Sequence, residues 1–99
     1  MDETLIHYDA KAKKLNIRPH AKEFIQIMAK YYEVVIFTAS EQIYADPILD
    51  NLEEKSGAFT HRLYRDSCDY CRGFYMKNLN RLNRNLAKTI IVDNNELNF

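Results

Sequence analysis

Glycine, proline and cysteine are all scarce in this 99-residue sequence, at two residues each. So few glycines and prolines exclude a collagen-like or linker-like chain. Two cysteines, Cys68 and Cys71, are too few for a disulfide-stapled scaffold, and an intracellular, reducing setting is the expectation. Charge of one sign is missing too. Fourteen basic side chains stand against fourteen acidic ones, which removes the general attraction toward nucleic acid or an anionic membrane surface. The longest strongly apolar run without a charge, residues 34–40, falls far short of the roughly 20 residues that cross a bilayer. Met-Asp-Glu-Thr at the start carries no basic region ahead of an apolar one, so no secretory signal is expected. What remains is ordinary globular composition, 46% hydrophobic and 28% charged, sufficient for one small domain spanning residues 1–99 and unlike a disordered tail.

The spacing of apolar residues supplies the elements. Residues 14–18 read as extended, and Pro19 suits the first position of a helix. Phe24, Ile27, Met28, Tyr31 and Tyr32 then recur at three- and four-residue intervals, an amphipathic helix of about three turns. Residues 33–38 are β-branched and aromatic and predict a buried strand. Ser40 is a candidate N-cap for a short helix, and Asp46-Pro47 predicts a second start that carries Ile48, Leu49 and Leu52 inward until Gly57. Residues 59–65 alternate as a strand, residues 68–75 with Gly73 predict a hairpin or loop, and Leu79, Leu82 and Leu86 share a helical face. Residues 88–93 predict a second buried strand, ending in Asp93. Alternating strands and helices predict an α/β fold with a parallel sheet. Ligands of such sheets sit at the carboxyl ends of the strands, where Thr38 and Asp93 stand.

Three segments share one further pattern: Asp2-Glu3-Thr4-Leu5-Ile6-His7, Ile36-Phe37-Thr38-Ala39-Ser40 and Ile91-Val92-Asp93-Asn94. With Arg18-Pro19, Tyr31-Tyr32-Glu33, Tyr44-Ala45-Asp46-Pro47, His61-Arg62-Leu63-Tyr64-Arg65, Lys77 and Arg84 between them, they resemble the haloacid-dehalogenase superfamily. Within it they resemble the NLI-interacting-factor-like branch, the phosphatases of the RNA polymerase II C-terminal domain. The resemblance covers nearly the whole chain in the family's order. It implies a parallel sheet flanked by helices and an Mg²⁺-dependent phosphoserine/phosphothreonine phosphatase that works through an aspartyl-phosphate.

Family members open with Asp-x-Asp-x-Thr, whose first Asp attacks phosphorus and whose second is the general acid and base. Asp2 matches the second Asp and Thr4 the Thr. Thr38 matches the hydroxyl that binds a phosphoryl oxygen, and Lys77 the cation that offsets the charge. Asp93, with Asn94 and Asp2, matches the metal-binding set, and Mg²⁺ favours such hard oxygen ligands. The position of the attacking Asp is the one before Met1, so the first strand, expected at the sheet centre, falls outside these residues together with a metal carboxylate. A polypeptide of these 99 residues is thus expected to be inactive and unstable, unless a neighbouring protein donates the strand. Asn95-Glu96 also stands where relatives commonly carry Ser-Pro.

Each residue has a plainer reading. Asp2 alone is a solvated acid, Thr38 a strand-end cap, Asp93 a turn cap and Lys77 a surface lysine. His7, His20 and His61 lack ligand spacing, and Arg81 and Arg84 read as a solvated helix face. Cys68-x-x-Cys71 is half a zinc site and reads as a packed or free thiol pair. The competing functions are a catalytically dead pseudophosphatase serving as a subunit of a larger assembly, and a redox or metal module built on the two cysteines. The partners expected are a phosphoprotein substrate or a strand donor, with no direct nucleic-acid contact and no membrane span. The resemblance implies a nuclear or cytoplasmic location, or an organellar complex.

Overall fold

A computed structural model describes residues 1–98 of the chain. The first hairpin pairs β1 (Ile6–Asp9) with β2 (Lys14–Ile17), antiparallel, with Ile6 opposite Ile17. Asp9 closes the turn by accepting the Lys11 and Ala12 amides on Oδ1, at 3.0 and 3.2 Å. Helix α1 (Ala21–Met28) follows, then β3 (Val34–Phe37), α2 (Gln42–Glu53) and β4 (Phe59–Leu63). Strands β3 and β4 are parallel neighbours with α2 as their connection, the βαβ unit expected from the alternation of elements. A short hairpin, β5 (Asp69–Cys71) and β6 (Phe74–Met76), comes next. Its two-residue turn, Arg72-Gly73, has φ of 52° and 85°, the double positive φ that such tight turns need and that glycine supplies cheaply.

The core lies where β1 and α1 meet the βαβ unit: Ile6, Ala21, Ile25, Ile36, Ala45, Ile48, Leu49, Leu52 and Phe59 form one cluster. Ile48, Leu49 and Leu52 recur at helical spacing and face inward as the sequence suggests. Charge ties the unit together at its edge. Arg62 of β4 reaches three carboxylates on α2, Asp46 at 3.1 Å, Asp50 at 2.9 Å and Glu53 at 3.0 Å. Tyr64 donates to the same Asp46 oxygen. Burial disfavours the Arg62 charge, yet the bonds to Asp50, Asp46 and Glu53 more than offset it and hold its pKa above the ordinary value. Glu53 also accepts the Phe59 amide at 2.7 Å, fixing the turn from α2 into β4.

Several expectations are corrected. Helix α1 is two turns long and begins at Ala21; His20, not Pro19, precedes it, in the left-handed region at φ 68°. Its buried side chains are Ala21 and Ile25, whereas Phe24, Ile27, Tyr31 and Tyr32 are exposed. Met28 of the same stripe is half-buried, and Tyr31 and Tyr32 lie beyond the end of the helix. A single helix runs through Asp46-Pro47, capped by Glu41 rather than Ser40, with Pro47 in its interior. The Leu79–Leu86 stretch is not one helix but two 3₁₀ turns, Leu79–Leu82 and Leu86–Lys88. Residues 89–92 form no strand, and Ile90 and Val92 are 71% and 62% exposed. A strand exists only through a ladder partner, and among the described residues β3 pairs on the β4 side alone. The sheet is accordingly three two-stranded pieces, of which one is parallel.

Leu49 is fully buried and Ile43, on the same helix, is 85% exposed. In the full-length protein, Leu49→Ala should cost this domain about 3 kcal/mol through lost burial and a cavity, and Ile43→Ala less than about 0.5 kcal/mol. Urea titration followed by circular dichroism reads both; equal losses would contradict the packing.

Candidate active site

Thr38 and Asp2 meet at the carboxyl end of β3. Thr38 follows the strand directly, is only 2% exposed, and its amide donates to the Leu63 carbonyl of β4 at 2.9 Å. Its Oγ1 accepts the Ser40 amide at 3.1 Å, which turns the chain sharply toward α2. Ser40 Oγ then donates to Asp2 Oδ2 at 2.9 Å, and the Tyr44 hydroxyl donates to Asp2 Oδ1 at 3.3 Å. Burial, then the Asp2 charge, push the Tyr44 phenol up, so it remains a donor at neutral pH. Arg65 stiffens the turn: its amide donates to the Ser40 carbonyl at 3.0 Å and its Nε to the Ala39 carbonyl at 2.7 Å. The guanidinium carbon of Arg65 also lies 4.8 Å from the centre of the Tyr75 ring, a cation–π contact with β6.

Lys77, the residue after β6, donates to Asp93 Oδ2 at 2.6 Å, and both side chains are under 8% exposed. Burial opposes the Asp93 charge, but the Lys77 hydrogen bond, the Asn95 amide and the Lys77 charge hold this carboxyl below its ordinary value. Thr4 and Asn94 join Asp93 in lining a cavity of about 470 Å³ that also meets Arg18, Phe24 and Val92. Thr4 Oγ1 is buried with no hydrogen-bond partner among the described residues, a state that costs roughly 1–3 kcal/mol unless a partner is supplied.

Of the six residues read from the sequence, hydrogen bonds link Asp2 to the turn that follows Thr38 and Lys77 to Asp93, while Thr4, Asp93 and Asn94 line one cavity. Lys77 is buried rather than the surface lysine its type suggests. Two participants were not picked out as site residues. Ser40 reads as a helix cap, and Tyr44 has no signal beyond its place in Tyr-Ala-Asp-Pro. Cys68 is a third neighbour, its Sγ 3.7 Å from the Thr38 carbonyl and its thiol pushed up by burial against the Lys77 and Arg65 charges. Both cysteines are free thiols. Arg84 and Arg81 are not an idle solvated face: Arg84 grips Glu33 with Nε at 2.7 Å and a second nitrogen at 3.0 Å, and Arg81 meets Asp69 at 2.8 Å. The three histidines are exposed.

Mg²⁺ is the ion the resemblance implies. Asp93 and Asn94 offer the hard oxygen donors it favours, but the number is short. Among the described residues no three acidic, histidine or cysteine side chains converge, and both Asp93 oxygens already accept, from Lys77 and from the Asn95 amide. These residues alone do not fit the ion. Among the described residues no helix is long and apolar enough to cross a membrane.

Comparison with known proteins gives the same direction. The chain matches the family model described as NLI interacting factor-like phosphatase over residues 1–99. It is similar to Phosphatase Herzog of Drosophila melanogaster, 52% identical over 82 residues, covering 83% of this chain and 23% of that protein. It is also similar to the human carboxy-terminal domain RNA polymerase II polypeptide A small phosphatase 1, 49% identical over 83% of this chain and 31% of the relative. CTD small phosphatase-like protein 1 of Caenorhabditis elegans matches 100% of the chain at 35% identity, which is 24% of its own length. The chain therefore spans less than a third of these relatives.

The depressed Asp93 pKa sets a pH dependence. Its stabilisation is present above the unfolded value of about 3.9 and is lost as pH falls through the lower folded value. Lys77→Met should cost about 3 kcal/mol at pH 7, because Asp93 is left buried and unpaired. That cost should shrink toward pH 3 as Asp93 is protonated, and Lys77→Met with Asp93→Asn should cost less than Lys77→Met alone. Urea titrations of the full-length variants between pH 3 and 7 test this; a cost independent of pH would contradict it.

Proposed function

The chain belongs to the NLI interacting factor-like phosphatase family, and on that premise we propose that residues 1–99 supply part of the active site of a phosphoserine/phosphothreonine protein phosphatase. The observation that supports this reading is the link of Asp2 to the Thr38–Ser40 turn at the end of β3, with the buried Lys77–Asp93 pair as a second polar cluster. In this reading an attacking carboxylate from outside residues 1–99 forms a bond to phosphorus as the bond to the serine oxygen breaks. Asp2 gives its proton to that oxygen. It then takes a proton from water, which attacks phosphorus and releases phosphate, restoring the carboxylate. Thr38 offers its hydroxyl and Lys77 its charge to the phosphoryl oxygens, a preorganised donor set that needs little rearrangement. The unpartnered Thr4 hydroxyl supports the same reading, since a buried donor calls for an acceptor that the described residues lack.

Asp2→Asn in the full-length protein should lower kcat on a phosphoserine peptide by about 10²–10⁴-fold, the usual contribution of a general acid–base group. Turnover within tenfold of the wild type would overturn the assignment.

The free edge of β3 supports a second element of the proposal: a strand from outside these residues, in the same chain or a partner, pairs there. Such a strand would also give exposed Ile90 and Val92 a surface to cover. A purified polypeptide of residues 1–99 is expected to melt without a sharp cooperative transition, because unpaired strand edges and uncovered apolar surface forfeit much of a small domain's few kcal/mol. A cooperative melt with full sheet content by circular dichroism would refute the strand donation.

A further inference from the structure

We propose that Ser40 and Tyr44 form a two-hydroxyl clamp that positions Asp2 for proton transfer to the leaving oxygen, an inference that rests on the phosphatase reading above. The clamp contacts both oxygens of one carboxylate, Ser40 Oγ on Oδ2 at 2.9 Å and the Tyr44 hydroxyl on Oδ1 at 3.3 Å. One donor would leave the carboxylate free to roll about its Cβ–Cγ bond; two donors on different oxygens fix its plane. A carboxylate has about four lone-pair positions. The clamp takes two, leaving one on each oxygen for the proton in transit.

The support behind the clamp comes from across the fold. Ser40 is held from three sides, by the Thr38 hydroxyl on its amide, the Arg65 amide on its carbonyl, and the Arg65 side chain on the preceding carbonyl. Tyr44 lies in the first turn of α2, its amide bonded to the Glu41 carbonyl. In contrast, the amides of Thr4, Leu5 and Ile6 all turn back to the Met1 carbonyl, and among the described residues no side chain near Asp2 in sequence bonds its carboxylate. The direction of Asp2 is thus set from across the fold. Thr38, which would bind the phosphoryl group, and Ser40, which aims Asp2, stand two residues apart on one turn. Acid and phosphate would therefore keep their spacing when the turn moves as a unit.

Positioning of a general acid has a readout that mere stability lacks. A serine oxygen leaves poorly without a proton, whereas para-nitrophenolate leaves readily without one. In the full-length protein, Ser40→Ala with Tyr44→Phe should reduce kcat on a phosphoserine peptide about 10–100-fold, within the range for impaired acid–base catalysis, while KM changes less than about twofold. The single-turnover burst of nitrophenolate from para-nitrophenyl phosphate should fall less than about threefold, which also reports that the site is folded. Ser40→Thr, which keeps the hydroxyl, should retain most of the peptide activity. Equal losses on both substrates, or an unchanged peptide kcat, would overturn the clamp. If Asp2→Asn also left peptide turnover intact, the phosphatase reading itself would fall; an Asp2-dependent enzyme indifferent to Ser40 and Tyr44 would sink the clamp alone.

Discussion

The buried ion pair between Lys77 and Asp93 is the constraint on which the second half of the molecule depends. Between these residues the chain has only short 3₁₀ turns, with no long helix and no strand to hold it. A charge under 8% exposed is tolerable only beside its opposite, so the two side chains must meet, and the loop between them closes as a consequence. The bidentate grip of Arg84 on Glu33 fastens that loop to the residue before β3. The same demand for charge compensation keeps a buried ammonium group beside Asp93.

A second electrostatic knot holds the other side of the site. Arg62 gathers Asp46, Asp50 and Glu53 along one face of α2, and hydrogen bonds from Tyr64 and Gln42, with Arg62 behind them, keep Asp46 charged at pH values below the usual carboxylate range. None of these groups touches the candidate catalytic residues. Their effect is on the direction of α2 relative to β4, and α2 carries Tyr44. The parallel β3–β4 pair sets the height of Thr38 through the bond to Leu63. Core packing, the Arg62 network and the Arg65 turn therefore converge on a few hydroxyls and a carboxylate at one strand end, the usual place for chemistry in α/β folds.

Where the sequence misleads, the cause is a missing neighbour or a local signal overruled by packing. Residues 89–92 have every intrinsic preference of a buried strand, yet β pairing is a property of two segments, and no partner lies beside them among the described residues. Outward Phe24 and Ile27 form a real apolar face of α1, and periodicity alone does not say which of two apolar faces meets the core. Pro47 lies inside α2 rather than starting a helix. The missing amide removes one hydrogen bond, and the fully buried Leu49 and Leu52 on the following turn outweigh that loss.

The βαβ unit, a hairpin or loop around Gly73 and the inward face of α2 were legible in the sequence, since each rests on local spacing, and the candidates Asp2, Thr38, Lys77 and Asp93 came from the family resemblance of their motifs. The burial of Lys77, the grip of Arg84 on Glu33 and the two hydroxyls on Asp2 were decided only by the tertiary structure. Asp2 is separated from Ser40 by 38 positions and from Tyr44 by 42, and Lys77 from Asp93 by 16. No local propensity encodes contacts at such separations. They arise because the packing of α2 against the core, and the intolerance of the interior for a lone charge, leave these side chains one place to meet.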